Sequence, residues 1–279
     1  MTVLAEAEPT VARPSAVRAP ATARVCDGRA EAVVETVAAE VPVAIFYNDA
    51  SHAVMMASPA DLEDFAIGFT LSEGIVADAG EVGAIAADDL QLGLRLDIAI
   101  PPARAAALSE RRRSLAGVTG CGLCGVVAIE DAVRPLPALP PGPPVAASAI
   151  AAAVAAMPGL QEVNRLTGAV HAAAFCAADG TILALREDVG RHTALDKTIG
   201  AAARAGLDPA AGFLVVTSRC SMEMVQKAVA CGCPLIAAVS APTSLAIERA
   251  ARSGLGLLAF ARGGAFNVYA RPERVAADR

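Results

Sequence analysis

The chain has 279 residues, with 23 lysines and arginines against 29 aspartates and glutamates for a formal net charge of −6, and 55% of its residues are hydrophobic. That length and composition supply a sizeable core for one large domain or two modest ones, while the acidic balance excludes wholesale binding of duplex nucleic acid or an acidic membrane surface. The longest apolar candidate for a span, Val145 to Met157, is mostly alanine; as a helix it covers roughly two-thirds of a hydrocarbon core, which excludes a spanning role.

Residues 1–24 place Glu6 and Glu8 where an export signal needs a basic start and an apolar stretch. They read as a disordered tail on a cytoplasmic protein. Val43–Tyr47 and Ala53–Ala57 flank the turn-rich Asn48–His52 and predict a β-hairpin. A helix follows: Ser58 suits the N-cap, Pro59 the first helical position and Asp61 a capping box, with Leu62, Phe65, Ala66 and Phe69 on one apolar face before Gly74. Between Asp78 and Glu110 the pattern predicts a strand near Leu94–Ile100 with helical flanks. Next comes Gly117-Val-Thr-Gly-Cys-Gly-Leu-Cys-Gly-Val126, whose glycines make a mobile loop, and then an apolar run Val126–Ile129 that reads as a strand. Six prolines between Pro135 and Pro144 favour extended chain and mark a junction, with a loop packed along the surface as the alternative. The organisation expected is therefore a smaller α+β subdomain over 25–134, a proline-rich junction over 135–146 and an α/β domain over 147–275.

From Ala147 the pattern becomes regular. A helix to Met157 precedes strands at Val170–Phe175 and Thr181–Leu185, and further strands at Phe213–Thr217, Pro234–Val239 and Leu255–Phe260 alternate with helices at Met222–Cys231 and Ser244–Ser253. This βαβ grammar predicts a mainly parallel sheet with its functional loops along one edge. The loops are Arg186–His192, Thr217–Ser221, Ser240–Ser244 and Ala261–Ala265. Helix N-termini there favour anions, and Arg191, Arg219 and Arg262 add guanidinium groups suited to phosphate. Taken singly, each loop also reads as an ordinary cap or turn; together they point to a phosphate-bearing ligand. His192, in the more polar loop, is a better functional candidate than His171.

Seven cysteines, an odd number without regular spacing, do not make a disulfide framework, and Cys176, Cys231 and Cys233 read as small buried side chains. The Cys121/Cys124 pair admits three readings. Zinc lacks a second ligand pair, and the His-x-Glu and Pro-Cys-x-x-Cys pattern of a zinc deaminase is missing. A thioredoxin-like redox pair should open a helix, which Gly117, Gly120, Gly122 and Gly125 oppose. A sulfur relay needs a thiolate, which backbone N–H groups in a glycine-rich turn and the nearby Arg111–Arg113 would favour. The residues rank redox or sulfur chemistry above zinc and do not separate those two.

Several stretches together resemble the formate dehydrogenase accessory sulfurtransferases, the FdhD/NarQ family. They include Ser58–Gly74, Gly120-Cys-Gly-Leu-Cys-Gly125, Thr167–Ala173, Glu187-Asp-Val-Gly-Arg-His-Thr-Ala-Leu-Asp-Lys197, Glu223–Lys227, Ala238–Thr243 and Gly264–Tyr269. The resemblance implies a cytidine-deaminase-like α/β fold without the deaminase metal site, in a cytoplasmic homodimer. It implies that Cys121 carries a persulfide received from a cysteine desulfurase, with Cys124 as the accessory thiol. The sulfur's destination is then the molybdenum cofactor bis(molybdopterin guanine dinucleotide), before its insertion into the formate dehydrogenase apoprotein. The cofactor stretch of the family falls on Phe260, Ala261, Arg262, Gly263, Gly264 and Ala265, and the neighbouring loops add Arg191, His192, Ser218, Arg219 and Ser240 as candidate ligands. Thr193, Cys220 and Ala265 depart from the family pattern. The alternative activity is a chaperone that binds the cofactor and transfers no sulfur.

Overall fold

The computed structural model describes residues 13–19, 22–115 and 135–277. Cys121, Cys124 and the strand expected at Val126–Ile129 lie outside them, as do residues 1–12 and the side chains of Arg111–Arg113. The first described elements are two ribbons: β1 (Ala16–Arg18) pairs with β4 (Thr36–Ala38), and β2 (Thr22–Cys26) with β3 (Arg29–Val33). This corrects the expected tail, because residues from Ala16 onward already form strand. The missed signal is Asp27-Gly28, which joins β2 to β3 with φ of 49° and 75°, the left-handed pair that a tight hairpin turn requires.

The next layer is a four-stranded sheet of order β6-β5-β8-β7, made of β5 (Val41–Tyr47), β6 (Ala50–Ala57), β7 (Ile85–Leu90) and β8 (Gly93–Ile98). Asn48 and Asp49, both at positive φ, close the first hairpin, so the turn is shorter than the five residues expected. β7 was expected as a helical flank. Pairing with β8 overrides its weak helical composition. Helix α1 (Leu62–Ser72) packs Leu62, Phe65, Ala66 and Phe69 on Val43, Ile45, Leu94 and Leu96 of that sheet, and Leu108 of α2 (Pro102–Leu115) joins the same core.

Beyond the proline-rich stretch come β9 (Val145–Ala146), α3 (Ala147–Leu160) and α4 (Glu162–Thr167). A sheet and its helices follow: β10 (His171–Ala177), β11 (Ile182–Asp188), α5 (Arg191–Arg204), β12 (Gly212–Val216), α6 (Met222–Ala230), β13 (Leu235–Ala238), α7 (Ser244–Ser253), β14 (Gly256–Arg262), β15 (Ala265–Ala270) and β16 (Val275–Ala276). The six-stranded sheet has the order β11-β10-β12-β13-β14-β15. Only β12/β13 and β13/β14 are parallel, which corrects the expectation of a mainly parallel sheet. The short links Ala178–Thr181 and Gly263-Gly264 leave no room for a crossover and force antiparallel pairs on both flanks.

Strand alternation divides the helices between the two faces of this sheet. Ala173 and Phe175 of β10 meet Leu195 and Ile199 of α5, Met224 and Val225 of α6 and Ala246 of α7, whereas Ala172, Ala174 and Cys176 meet Ile150, Ala153 and Met157 of α3. The proline-rich stretch is strapped to this unit: the N–H of Leu139 donates to the Ser253 carbonyl at 2.8 Å, and Arg274 donates to the Pro140 carbonyl.

Helix α1 lies across α5 at two glycines. A Cβ on Gly68 would stand 1.7 Å from the Asp196 carbonyl oxygen, and one on Gly200 would stand 1.9 Å from that of Asp64. Buried charges surround this crossing. Lys197 pairs with Asp188 at 2.7 Å, both fully buried, and donates to the Ser58 carbonyl, while the Ser58 N–H donates to Asp188. Ser58 is therefore not the N-cap of α1, a correction to the sequence expectation; Asp61 holds that position in a left-handed conformation without a side-chain cap bond. Lys227 reaches Asp196 at 2.9 Å and Glu73 at 3.0 Å, and Arg186 and Arg204 converge on Asp64. Removing one partner of such a pair would strand a charge in the interior, so the network fixes how α1 sits on α5 and α6.

Candidate functional site

The expected convergence of loops is present. His171 pairs with Asp188, the Thr217 N–H donates to the Ala172 carbonyl, the Val239 N–H to Val216 and the Phe260 N–H to Ser240, so the ends of β10 to β14 lie along one edge. The sheet then splits the candidate residues between its two faces. On the α3 face, a cavity of about 500 Å³ is lined by Ala261, Arg262, Gly263, Gly264 and Ala265 together with Thr217, Val239, Phe266, Gln161 and the side of α3 bearing Ala151, Val154, Ala155 and Pro158. That volume suits a drug-sized or nucleotide-sized ligand.

Gly263 and Gly264 stand at φ of 60° and 79°, where an L side chain would be strained, and they let the β14/β15 hairpin turn at the cavity rim. Phe260 is more unusual, since a bulky residue at φ 54° is an outlier; it is 37% exposed and lies beside the cavity without lining it.

Arg191, His192, Ser218, Arg219 and Ser240 do not line the cavity. Ser218 spends its hydroxyl on the Arg219 carbonyl, and Arg219 is exposed. Arg191 and His192 open α5 on the opposite face. The Arg191 Nε and His192 Nε2 are buried there and have no hydrogen-bond partner among the described residues. Arg186 and Arg204 have Asp64, but among the described residues no carboxylate stands at ion-pairing distance from Arg191, Arg219 or Arg262. Unpaired guanidinium groups along one edge leave it receptive to anions.

Burial, and then the charges of Arg191 and Lys227, push the His192 imidazole down from 6.5 to about 4. The unfolded chain takes up a proton here below its ordinary pKa, and the folded chain refuses it until about pH 4. The stability contributed by a neutral His192 is therefore present above pH 6.5 and is lost progressively as pH falls towards 4, by up to about 3 kcal/mol. His192→Gln is expected to flatten the acid limb of the denaturant-measured stability profile between those values; profiles that run parallel for the two proteins would contradict this.

The described cysteines divide sharply. Burial raises the thiols of Cys176 and Cys220 to about 12 and that of Cys231 to about 11, and pushes Cys233 well above its ordinary value. These four are poor nucleophiles. Cys26, on the β2/β3 ribbon, is exposed. Among the described residues no group of three or more His, Cys, Asp or Glu side chains is placed to hold a metal, and no helix is long and apolar enough to cross a membrane.

Sequence reading missed Gln161, Val239 and the wall formed by α3, whereas Thr217 lies in one of the loops it named. Alanine-rich helix carries no chemical signal, and its side becomes a wall only because α3 packs beside the ends of β12 to β14.

A mixed sheet covered by helices on both faces, with an apolar cavity at the edge where its loops gather, defines an α/β protein with one candidate ligand site among the described residues. The chain belongs to the FdhD/NarQ family, whose pattern it matches over residues 38–276. It is 52% identical over 248 residues to the sulfur carrier protein FdhD of Xanthomonas euvesicatoria pv. vesicatoria, covering 89% of this chain and 88% of that one. To the sulfur carrier protein FdhD of Bordetella petrii it is 47% identical over 241 residues, covering 86% and 87%. The crystal structure of a protein from Desulfotalea psychrophila described as a formate dehydrogenase accessory protein superposes with a TM-score of 0.72 at 25% identity, covering 94% of this chain and all of that one.

Proposed function

We propose that this chain is a sulfur carrier for formate dehydrogenase maturation. Cys121 takes sulfane sulfur from a cysteine desulfurase and, with two electrons drawn from a thiol reductant, passes it on as sulfide to the molybdenum of bis(molybdopterin guanine dinucleotide), which is bound here as a substrate before insertion into the formate dehydrogenase apoprotein. In the first step the Cys121 thiolate attacks the terminal sulfur of the donor persulfide. A new S–S bond forms at Cys121 as the donor's own S–S bond breaks, and the donor cysteine leaves as thiolate. Cys124 is the accessory thiol of the pair. The reading places the protein in the cytoplasm as a homodimer.

The observation that supports this most is chemical elimination within a family whose relatives bear the name sulfur carrier. Burial disables Cys176, Cys220, Cys231 and Cys233, which leaves Cys121, Cys124 and the exposed Cys26 as candidate nucleophiles. The cavity at Ala261–Ala265 supplies the second half of the reading, because apolar walls suit a heterocycle and, among the described residues, Arg262 has no carboxylate partner to compete with a pyrophosphate. The bound cofactor supplies the metal that accepts the sulfur; the chain's own residues anchor its phosphates and present the thiol.

The test is co-isolation. Protein purified from cells fed labelled cysteine is expected to carry a guanine-containing pterin, together with a label that thiol reductant releases and that peptide mass analysis places on Cys121. Pterin without labelled sulfur would instead make the chain a cofactor chaperone.

A further inference from the structure

The β2/β3 ribbon is the part of the fold that the core does not account for. Its residues alternate cleanly: Thr22, Arg24 and Cys26 share one face with their partners Val33, Glu31 and Arg29, and Ala23 and Val25 share the other with Ala32 and Ala30. On the first face Arg24 pairs with Glu31 at 3.8 Å, and it also reaches Glu35 at 2.9 Å. The second face carries no polar side chain. It is nevertheless open to water: Ala23, Ala30 and Ala32 are exposed, Val25 is 66% exposed, and Val34, the next residue of the same alternation, is 71% exposed.

None of these side chains joins a hydrophobic cluster, and among the described residues no other strand or helix packs broadly on the ribbon. A two-stranded hairpin is marginal in water by itself, and one with a single apolar side gains stability when that side is covered. Charge narrows what covers it. The ionic groups of the ribbon lie on the opposite face, where Arg24 is already held by Glu31 and Glu35, so the apolar face offers nothing to a strongly acidic or basic partner. The net charge of −6 opposes docking on an anionic lipid surface. What the face does match is itself. Cross-strand pairing sets Val25 beside Ala30 and Ala23 beside Ala32, a bump next to a hollow, and a two-fold rotation lays the bump of one copy over the hollow of the other.

We propose that the apolar face of the β2/β3 ribbon is a dimer contact, packed on the same face of the ribbon from a second copy of this chain. The contact rests on the homodimer of the function proposed above and adds where the two copies meet. Val25 stands at its centre, between Ala23 on its own strand and Ala30 across from it, and the charged face of each ribbon stays in water.

Sedimentation velocity of the full-length protein over a concentration series tests this. The wild-type protein is expected to dimerise, and Val25→Asp to weaken the dimer at least about 100-fold, because the two-fold contact buries the new charge in both copies. Arg29→Asp, on the other face of the same ribbon, is expected to leave the dimer unchanged. Both positions are exposed, so both variants are expected to keep the wild-type far-ultraviolet circular dichroism. An equimolar mixture of Val25→Asp and Val25→Lys is expected to form a mixed dimer tighter than that of either variant alone, since opposite charges then meet across the two-fold. A Val25→Asp protein that dimerises as the wild type does overturns the ribbon contact and leaves the homodimer standing. A mixture that stays apart shows that the ribbon meets some other surface, and overturns the contact as well. Wild-type protein that sediments as a monomer overturns both the contact and the homodimer; phosphatidylglycerol vesicles that then retain it and release Val25→Asp would assign the face to lipid.

Discussion

Cys121→Ala is expected to abolish formate dehydrogenase maturation, lowering the activity recovered in cells that lack the native copy by at least about 100-fold, because the buried cysteines cannot take over its thiolate chemistry. A persulfide forms only on a thiolate that can approach a donor cysteine on another protein. Cys176, Cys220 and Cys233 are buried, and desolvation holds their thiols protonated near physiological pH. Cys231 is half-buried and shares that fate, its thiol raised to about 11. Cys26 is exposed, but it sits on the β2/β3 ribbon and does not line the cavity. Cys26→Ser is therefore expected to retain full activity and serves as the control. If Cys121→Ala kept more than half of the wild-type activity, the carrier role of that residue would be lost. Loss of activity in Cys26→Ser with retention in Cys121→Ala would relocate the nucleophile to the ribbon.

Gly200→Ala is expected to cost about 3 kcal/mol or more, at the upper end of what overpacking a well-filled interior does. The added Cβ would lie 1.9 Å from the Asp64 carbonyl oxygen, a backbone atom that cannot rotate away. Helices α1 and α5 would have to separate, and the separation would pull on the paired Lys197 and Asp188 and on the contacts of Lys227 with Ser72, Glu73 and Asp196. For a chain of this size the expected fall in Tm is about 6–10 °C. Gly232→Ala is a useful comparison, since a Cβ there meets nothing within 4 Å and only the positive φ of 83° is strained. A Gly200→Ala protein that melts within about 2 °C of wild type would show that α1 shifts freely on α5, contrary to the close-packed crossing described above.

Much of the architecture was readable from local pattern. The helices beginning at Ala147, Met222 and Ser244, and the strands after Pro234 and Leu255, start or end within a few residues of where periodicity places them, because each carries its own apolar period and its own capping or turn residues. Errors gathered where a distant partner settles the outcome. Ser58, Pro59 and Asp61 look like a helix start, but Ser58 is drawn into the Asp188–Lys197 pair more than a hundred residues away. Ile85–Leu90 has little strand character of its own and becomes a strand because β8 is beside it.

The candidate site shows the same division. Arginines beside helix starts, a glycine pair after a strand and a CxxC between glycines are chemical types at short spacing, so residue order alone was enough to name Arg191, Arg262, Gly263, Gly264 and Cys121 as candidates, and to place the chain in its family. Residue order could not say which of them share a cavity. The sheet, closing β10 antiparallel between β11 and β12, sets Arg191 and His192 on one face and Arg262 on the other, and α3 turns an unremarkable row of alanines into a wall with Gln161 at its end. Local spacing governs which groups exist along a chain; which of them meet depends on side-chain burial between segments far apart in sequence, and that is a property of the closed fold.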